Sequence, residues 1–249
     1  MKMRLDRWLT TLGVCSRSEA KELIRKGAVQ VDGETARDAG AAVDTESAEL
    51  RIHGQPVDGR TVRHVMMYKP AGLLTAARDR KQPTVMDLLP KAYASMGCMP
   101  VGRLDKDTTG LLFLTCDGEL NHRLLAPGRH VDKVYEALVT GRLTARDAEA
   151  FAAGMELSDF TAQPAKLEIL EAGEKESRAR VTVAEGKFHQ IKRMFSATGH
   201  EVTRLHRLRF GPLALDPALR EGEWRELTEA ELGALREAAG LTEEAAREA

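Results

Sequence analysis

In the stretch RLDRWLTTLG the apolar residues Leu5, Trp8, Leu9 and Leu12 recur at three- and four-residue spacing, and Gly13 follows. That period puts one apolar stripe on a helix, and the glycine stops it. The next stretch, SRSEAKELIRKG, opens with Ser16 and carries Glu19 three residues on. At this spacing a hydroxyl and a carboxylate satisfy each other's free amides at a helix start. A second helix is therefore predicted, ending at Gly27. Ala20, Leu23 and Ile24 fall on one face, and Arg17, Lys21 and Arg25, at four-residue intervals, on the other. AVQVDGETA then alternates, with the tight-turn pair Asp32-Gly33 of a hairpin.

Residues 53–63, HGQPVDGRTVR, are rich in glycine and polar side chains and are the best candidate for a linker. They suggest a first domain over residues 1–60, a larger one over 61–240 and a frayed end over 241–249. After the linker, HVMMYKPAGLLTA reads as a strand entering a bend fixed by Pro70 and Gly72. KVYEALVTG and SRARVTVAEG read as strands; TARDAEAFAAGM, FHQIKRMFSATG and TEAELGALREAAG read as helices. Strands separated by helices and long crossovers predict an α+β chain, a mixed sheet with flanking helices.

The length of 249 residues fits one large or two unequal domains, and 43% hydrophobic residues suffice for a substantial core. The net charge of −1 hides two basic patches. Lys2, Arg4, Arg7, Arg17, Lys21, Arg25 and Lys26 outnumber Asp6, Glu19 and Glu22. Lys187, Lys192, Arg193, Arg204, Arg207 and Arg209 face only Glu201, and an acidic stretch after Phe210 cancels both patches. Such a distribution suits an anionic partner held at defined places, or simply solvated faces. Cys15, Cys98 and Cys116 are scattered and lack metal-ligand spacing, which points to a reducing compartment. The start, MKMRLDRWL, is charged and no run reaches membrane-spanning length, so a soluble cytoplasmic protein is expected.

The candidate chemistry concentrates in three segments. VGRLDKDTTGLLFLT crowds Arg103, Asp105, Lys106, Asp107, Thr108 and Thr109 ahead of the apolar run Leu111 to Leu114. A loop fixed by Gly102 and Gly110 and tied to a buried strand can hold one carboxylate still. The plainer reading is a turn in which Asp105 caps the local backbone. DKDTTG also begins like a calcium loop, but its twelfth position is Cys116 where such a loop needs a bidentate Glu. In HVDKVYEALV, Tyr135 on an alternating strand is either core packing or a flat face for a base. In AEGKFHQIKRMFSATG, Ile191, Met194 and Phe195 mark a buried helix face. Lys192 and Arg193 at its start are exposed charges, or cations that keep Asp105 ionised. His122, His130, His189, His200 and His206 are too dispersed to argue a site, which leaves a metal-dependent hydrolase without ligands.

The opening RLDRWL, SRSEAKELI and KGAVQVDG resemble the S4-type RNA-binding domain, over roughly residues 3–60. That resemblance implies RNA contacts from Arg4, Arg17, Lys21, Arg25 and Lys26. YKPAGLL, GRLDKDTTGLL, KVYEALV and EGKFHQIKRMF, in that order, resemble the pseudouridine synthases of the RsuA family. The resemblance implies a larger catalytic domain on a mixed, mainly antiparallel sheet with flanking helices. It implies that Asp105 is catalytic, that Tyr135 stacks on the target uracil and that Lys192 pairs with Asp105, where related branches often carry Arg. Arg103 is well placed to engage the backbone of the flipped-out nucleotide. Neither metal nor other cofactor is implied. The partner is ribosomal RNA, and the protein is expected to be a monomer with no membrane partner. LLAPGRHVDKVYEALV and the stretch from Arg204 to Leu232 resemble the small-subunit branch, whose target is uridine 516 of 16S rRNA, met in a partly assembled small subunit. The alternatives are the same chemistry on a 23S rRNA uridine, or a non-catalytic rRNA-binding protein.

Overall fold

The computed structural model describes residues 2–126 and 131–241. His130, and the end read as frayed from residue 242 on, lie outside the described residues. The chain divides into two compact units, Met1–Arg63 with Leu89–Met99, and His64–Leu88 with Pro100–Ala249. The return of Leu89–Met99 to the first unit was not foreseen, because no shift in composition marks it.

The first unit runs β1 (Lys2–Arg4), α1 (Leu5–Thr11), α2 (Arg17–Arg25), β2 (Val29–Val31), β3 (Glu34–Thr35), β4 (Ala42–Asp44), β5 (Leu50–Ile52) and β6 (Gln55–Val57), with α3 (Lys91–Ser95) added. The capping pair forms as expected: the Glu19 amide donates to Ser16 Oγ at 3.4 Å and the Ser16 amide to Glu19 Oε2 at 2.7 Å. Asp32 and Gly33 both take positive φ, 51° and 81°, as a two-residue hairpin turn requires. Leu5, Trp8, Leu9, Ala20, Ile24, Val29 and Leu50 form one buried cluster. The expected linker begins instead as structure. His53 and Gly54, also at positive φ, turn β5 into β6, and the Trp8 indole donates to the Gly59 carbonyl at 2.8 Å. Composition misleads here because a tight turn and a linker use the same residues.

The second unit contains β7 (His64–Lys69), β8 (Met99–Pro100), β9 (Thr109–Thr115), α4 (Gly118–Leu125), β10 (Lys133–Thr140), α5 (Ala145–Ala153), β11 (Met155–Glu156), β12 (Thr161–Ala162), β13 (Lys166–Ala172), β14 (Glu176–Val183), α6 (Gln190–Ala197), β15 (Val202–Phe210), β16 (Leu213–Ala214), β17 (Trp224–Glu226) and α7 (Glu229–Ala238). Its main sheet has the order β13-β14-β10-β15-β9-β7-β17. Along this path every pair is antiparallel except β15 with β9. The mixed, mainly antiparallel sheet is thus as expected. Helices α4 and α7 supply Leu120, Leu124, Leu232 and Leu235 to a cluster with Met66, Leu111, Phe113 and Phe210 of the sheet. Helix α5 packs on β13 and α6 on β15, with Phe151 and Phe195 in ring contact at 4.8 Å. No helix among the described residues is long and apolar enough to cross a membrane.

Strand β9 is buried at every position. The parallel pairing opposes Gly110 to Arg207. Gly110 has φ 105°, and a Cβ built there would lie 2.3 Å from the Arg207 carbonyl oxygen and 2.6 Å from its nitrogen. Only glycine permits both the dihedral and the approach. Gly110→Ala is expected to lower the unfolding free energy by more than about 2 kcal/mol, measured by urea denaturation. A midpoint equal to wild type would show that β9 and β15 can separate without loss.

Candidate active site

The segment before β9 folds into a turn in which the Thr108 amide donates to the Asp105 carbonyl at 3.1 Å. A neighbouring segment grips this turn from behind. The Gly72 amide donates to the Lys106 carbonyl at 2.8 Å, and Thr75 Oγ1 to the Leu104 carbonyl at 2.8 Å. Lys69, fully buried at the end of β7, donates from Nζ to the carbonyls of Pro70 (2.9 Å), Lys106 (3.2 Å) and Thr108 (3.0 Å). Burial pushes the Lys69 ammonium down to about 8, against the opposing pull of Asp107 and Asp105. On the other side of Gly110, buried Arg207 donates from Nε to the Leu111 carbonyl at 2.7 Å.

The turn presents Asp105 to a cleft also lined by Arg103, Thr108, Tyr135, Lys187, His189 and Lys192. The Asp105 side chain is 26% exposed, so the carboxylate is reachable rather than sealed in. Its Oδ1 lies 3.5 Å from His189 Nε2 and its Oδ2 lies 3.6 Å from Lys192 Nζ. Lys192 sits closer to Asp107, at 2.6 and 2.8 Å from its two oxygens. That hydrogen bond holds the Asp107 carboxyl below the ordinary carboxylate range. Lys192 is therefore shared between two carboxylates, with the shorter contact to the one that sequence reasoning passed over. Lysine can do this because its ammonium is a rotatable point charge, whereas a guanidinium would commit its fork to one partner.

Tyr135, buried in β10, lies in register with Val181 and Arg207 and faces the cleft. Arg103 is exposed at the cleft and has no ion pair among the described residues. Arg193 is turned away from Asp105. It pairs with Asp159, donates to Ser158 Oγ and lies over the Phe160 ring. His189, set aside as one of several scattered histidines, is brought to Asp105. Its signal was its place in HQIK, one turn ahead of Lys192 on the same helix. His206 instead bonds Thr109 Oγ1 at 2.8 Å and His200 bonds the Thr140 carbonyl at 2.7 Å, both structural contacts. Among the described residues no three His, Cys, Asp or Glu side chains gather as a metal site. In the first unit Arg17, Lys21 and Arg25 are exposed along α2. Arg4 is engaged with Asp6 at 2.9 Å and Lys26 with Glu22 at 2.7 Å.

Residues 63–197 match the family model described as RNA pseudouridylate synthase. The chain belongs to this family. Residues 3–48 match the S4 domain model. The chain is 44% identical to an uncharacterised RNA pseudouridine synthase, YtzG, of Bacillus subtilis, covering 94% of this chain and 99% of that protein. It is 40% identical to ribosomal small subunit pseudouridine synthase A of Pseudomonas aeruginosa, covering 92% of this chain and 99% of that protein. To the protein of the same name from Escherichia coli K12 it is 38% identical, covering 94% and 100%. A crystal structure of a pseudouridylate synthase superposes with TM-score 0.65 at 33% identity, covering 94% of this chain and 99% of that one.

Lys69 carries a pH signature. Its folded value lies below the ordinary 10.5, so between pH about 8 and about 10.5 the unfolded chain binds more protons than the folded one. Over that window the Lys69 contribution raises stability as pH rises. Lys69→Met lacks this contribution. Urea unfolding of both proteins across the window should show the wild type gaining stability relative to the variant; parallel curves would mean the ammonium is not perturbed.

Proposed function

We propose that this protein isomerises one uridine of small-subunit ribosomal RNA to pseudouridine, with uridine 516 of 16S rRNA as the target, acting as a cytoplasmic monomer on a partly assembled subunit. The observation that carries the reading is the convergence of Arg103, Asp105, Tyr135 and Lys192 on one cleft from three distant parts of the chain. The choice of small-subunit RNA is supported by the relatives named for that substrate.

The reaction breaks the N1–C1′ bond, turns the uracil and joins C5 to C1′, while one proton leaves C5 and one is gained at N1. It is a balanced isomerisation. One carboxylate acting as nucleophile or base toward the nucleotide suffices in principle, and Asp105 is assigned that role. Lys192 and His189, 3.6 and 3.5 Å from its two oxygens, orient it. The freed uracil must not diffuse away, so it is held against the ring of Tyr135; such stacking is worth about 1–3 kcal/mol per base. Drawing the uridine out of its RNA fold costs a few kcal/mol. Contacts from Arg103 to the nucleotide backbone, and from Arg4, Arg17, Lys21, Arg25 and Lys26 to the RNA, offset that cost.

Asp105→Asn is expected to abolish pseudouridine formation and leave RNA affinity within a few-fold, because the amide keeps the shape but neither attacks nor accepts a proton. Mapping modified bases in 16S transcript, 23S transcript and partly assembled small subunits tests role and target together. Turnover by the variant above about a hundredth of wild type refutes the role, and a pseudouridine found only in 23S rRNA refutes the target. Replacing Arg17, Lys21 and Arg25 by Glu should flatten the slope of log affinity against log salt by about 2–3; an unchanged slope would remove α2 from the RNA contact.

A further inference from the structure

The turn that carries Asp105 also places Thr108 against the wall of the same cleft. Thr108 lines the cleft with Asp105 and Tyr135 and is 1% exposed. Its Oγ1 is buried and has no hydrogen-bond partner among the described residues. Other buried threonines of this unit do not share that state. Thr84 Oγ1 bonds Asp87, Thr109 Oγ1 bonds His206, and Thr115 Oγ1 bonds His64. Thr108 is also not free to rearrange. Its amide is bonded to the Asp105 carbonyl and its carbonyl receives the Lys69 ammonium, and a β-branched side chain has few rotamers to choose from. A hydroxyl buried without a partner destabilises the fold that holds it. Valine has nearly the same shape and would avoid that loss.

We propose that the Thr108 hydroxyl is a substrate contact, the hydrogen-bond partner of the uridine held between Asp105 and Tyr135. The inference rests on the reading of the cleft as a uridine-isomerising site and adds a residue to it. A hydroxyl both donates and accepts. The edge of uracil alternates carbonyl oxygens with ring nitrogen, so a turning base presents different polar atoms to a fixed point. A threonine there can stay bonded in either orientation, which a group limited to donating or accepting cannot do.

Thr108→Val and Thr108→Ser are compared with wild type in single-turnover pseudouridine formation, RNA binding and thermal unfolding. The valine variant is expected to lose roughly tenfold or more in kcat/KM, to bind RNA within a few-fold of wild type, and to melt at or above the wild-type temperature. The serine variant should recover most of the rate. A valine variant as active as wild type overturns the proposal. So does one that loses activity together with a lowered melting temperature, since the hydroxyl would then be a structural bond. If wild-type protein forms no pseudouridine in any ribosomal RNA, the parent reading fails and the proposal falls with it; an active wild type confines the outcome to Thr108.

Discussion

Two buried cations clamp the start of β9, and the cleft depends on that clamp. Gly110 is paired with Lys69 of β7 on one side and with Arg207 of β15 on the other. The ammonium holds the carbonyls of Lys106 and Thr108 just before the glycine, and the guanidinium holds the carbonyl of Leu111 just after it. Burying a charge is costly unless carbonyl dipoles or counter-charges replace water. For Lys69 both are supplied, by the loop carbonyls and by Asp105 and Asp107, which favour its charged form; Arg207 is held by the Leu111 carbonyl and the face of the Phe210 ring. The same carbonyls that receive the two cations fix the backbone on either side of Gly110, immediately after the turn that carries Asp105.

The partner side of the cleft is built at the start of α6. His189 sits at the helix N-cap with φ 50°, a left-handed conformation that glycine would adopt at less cost. Glycine, however, would bring no imidazole. With His189 at the cap and Lys192 one turn later, side chains three apart share a face, and both reach Asp105. Gln190, buried beneath them, bonds Glu185 at 2.7 Å and receives the Lys187 amide at 3.1 Å. The local strain is thus held in place by hydrogen bonds on the buried side of the same turn.

Elements with a strong local signal were legible from the chain alone. The Ser16–Glu19 box, the Asp32-Gly33 turn, the apolar period of α6 and the alternation of β10 each follow from contacts a few residues apart, which sequence spacing reports directly. Asp105, Tyr135 and Lys192 were legible as candidates through their motifs, and they meet in one cleft. Lys69 was not singled out although YKPAGLL was, because a lysine after a strand reads as solvated until the carbonyls around it are seen. Lys192's preference for Asp107 also escaped. Both carboxylates lie on one short turn, and a choice between them turns on about an ångström that spacing does not encode. Leu89–Met99 joining the first unit is a long-range packing outcome with no local mark.

On the proposed reading, the charge inventory of the cleft limits which of its groups can meet the RNA. Asp105 and Asp107 together carry two negative charges against the one positive charge of Lys192, so this cluster by itself repels a phosphodiester. Glu185, whose Oε1 accepts from the Gln163 amide and the Gln190 side chain, also lines the cleft and adds to the repulsion. The compensation has to come from cations at the cleft that are not otherwise held. Arg103 and Lys187 are both exposed there, one on each side of Asp105 in the chain. On the proposed reading they attract the strand to the cleft, while the neutral face of Tyr135 takes the base. Anionic backbone and uncharged base are thereby sorted to different walls, with the Asp105 carboxylate, held by His189 and Lys192, between them.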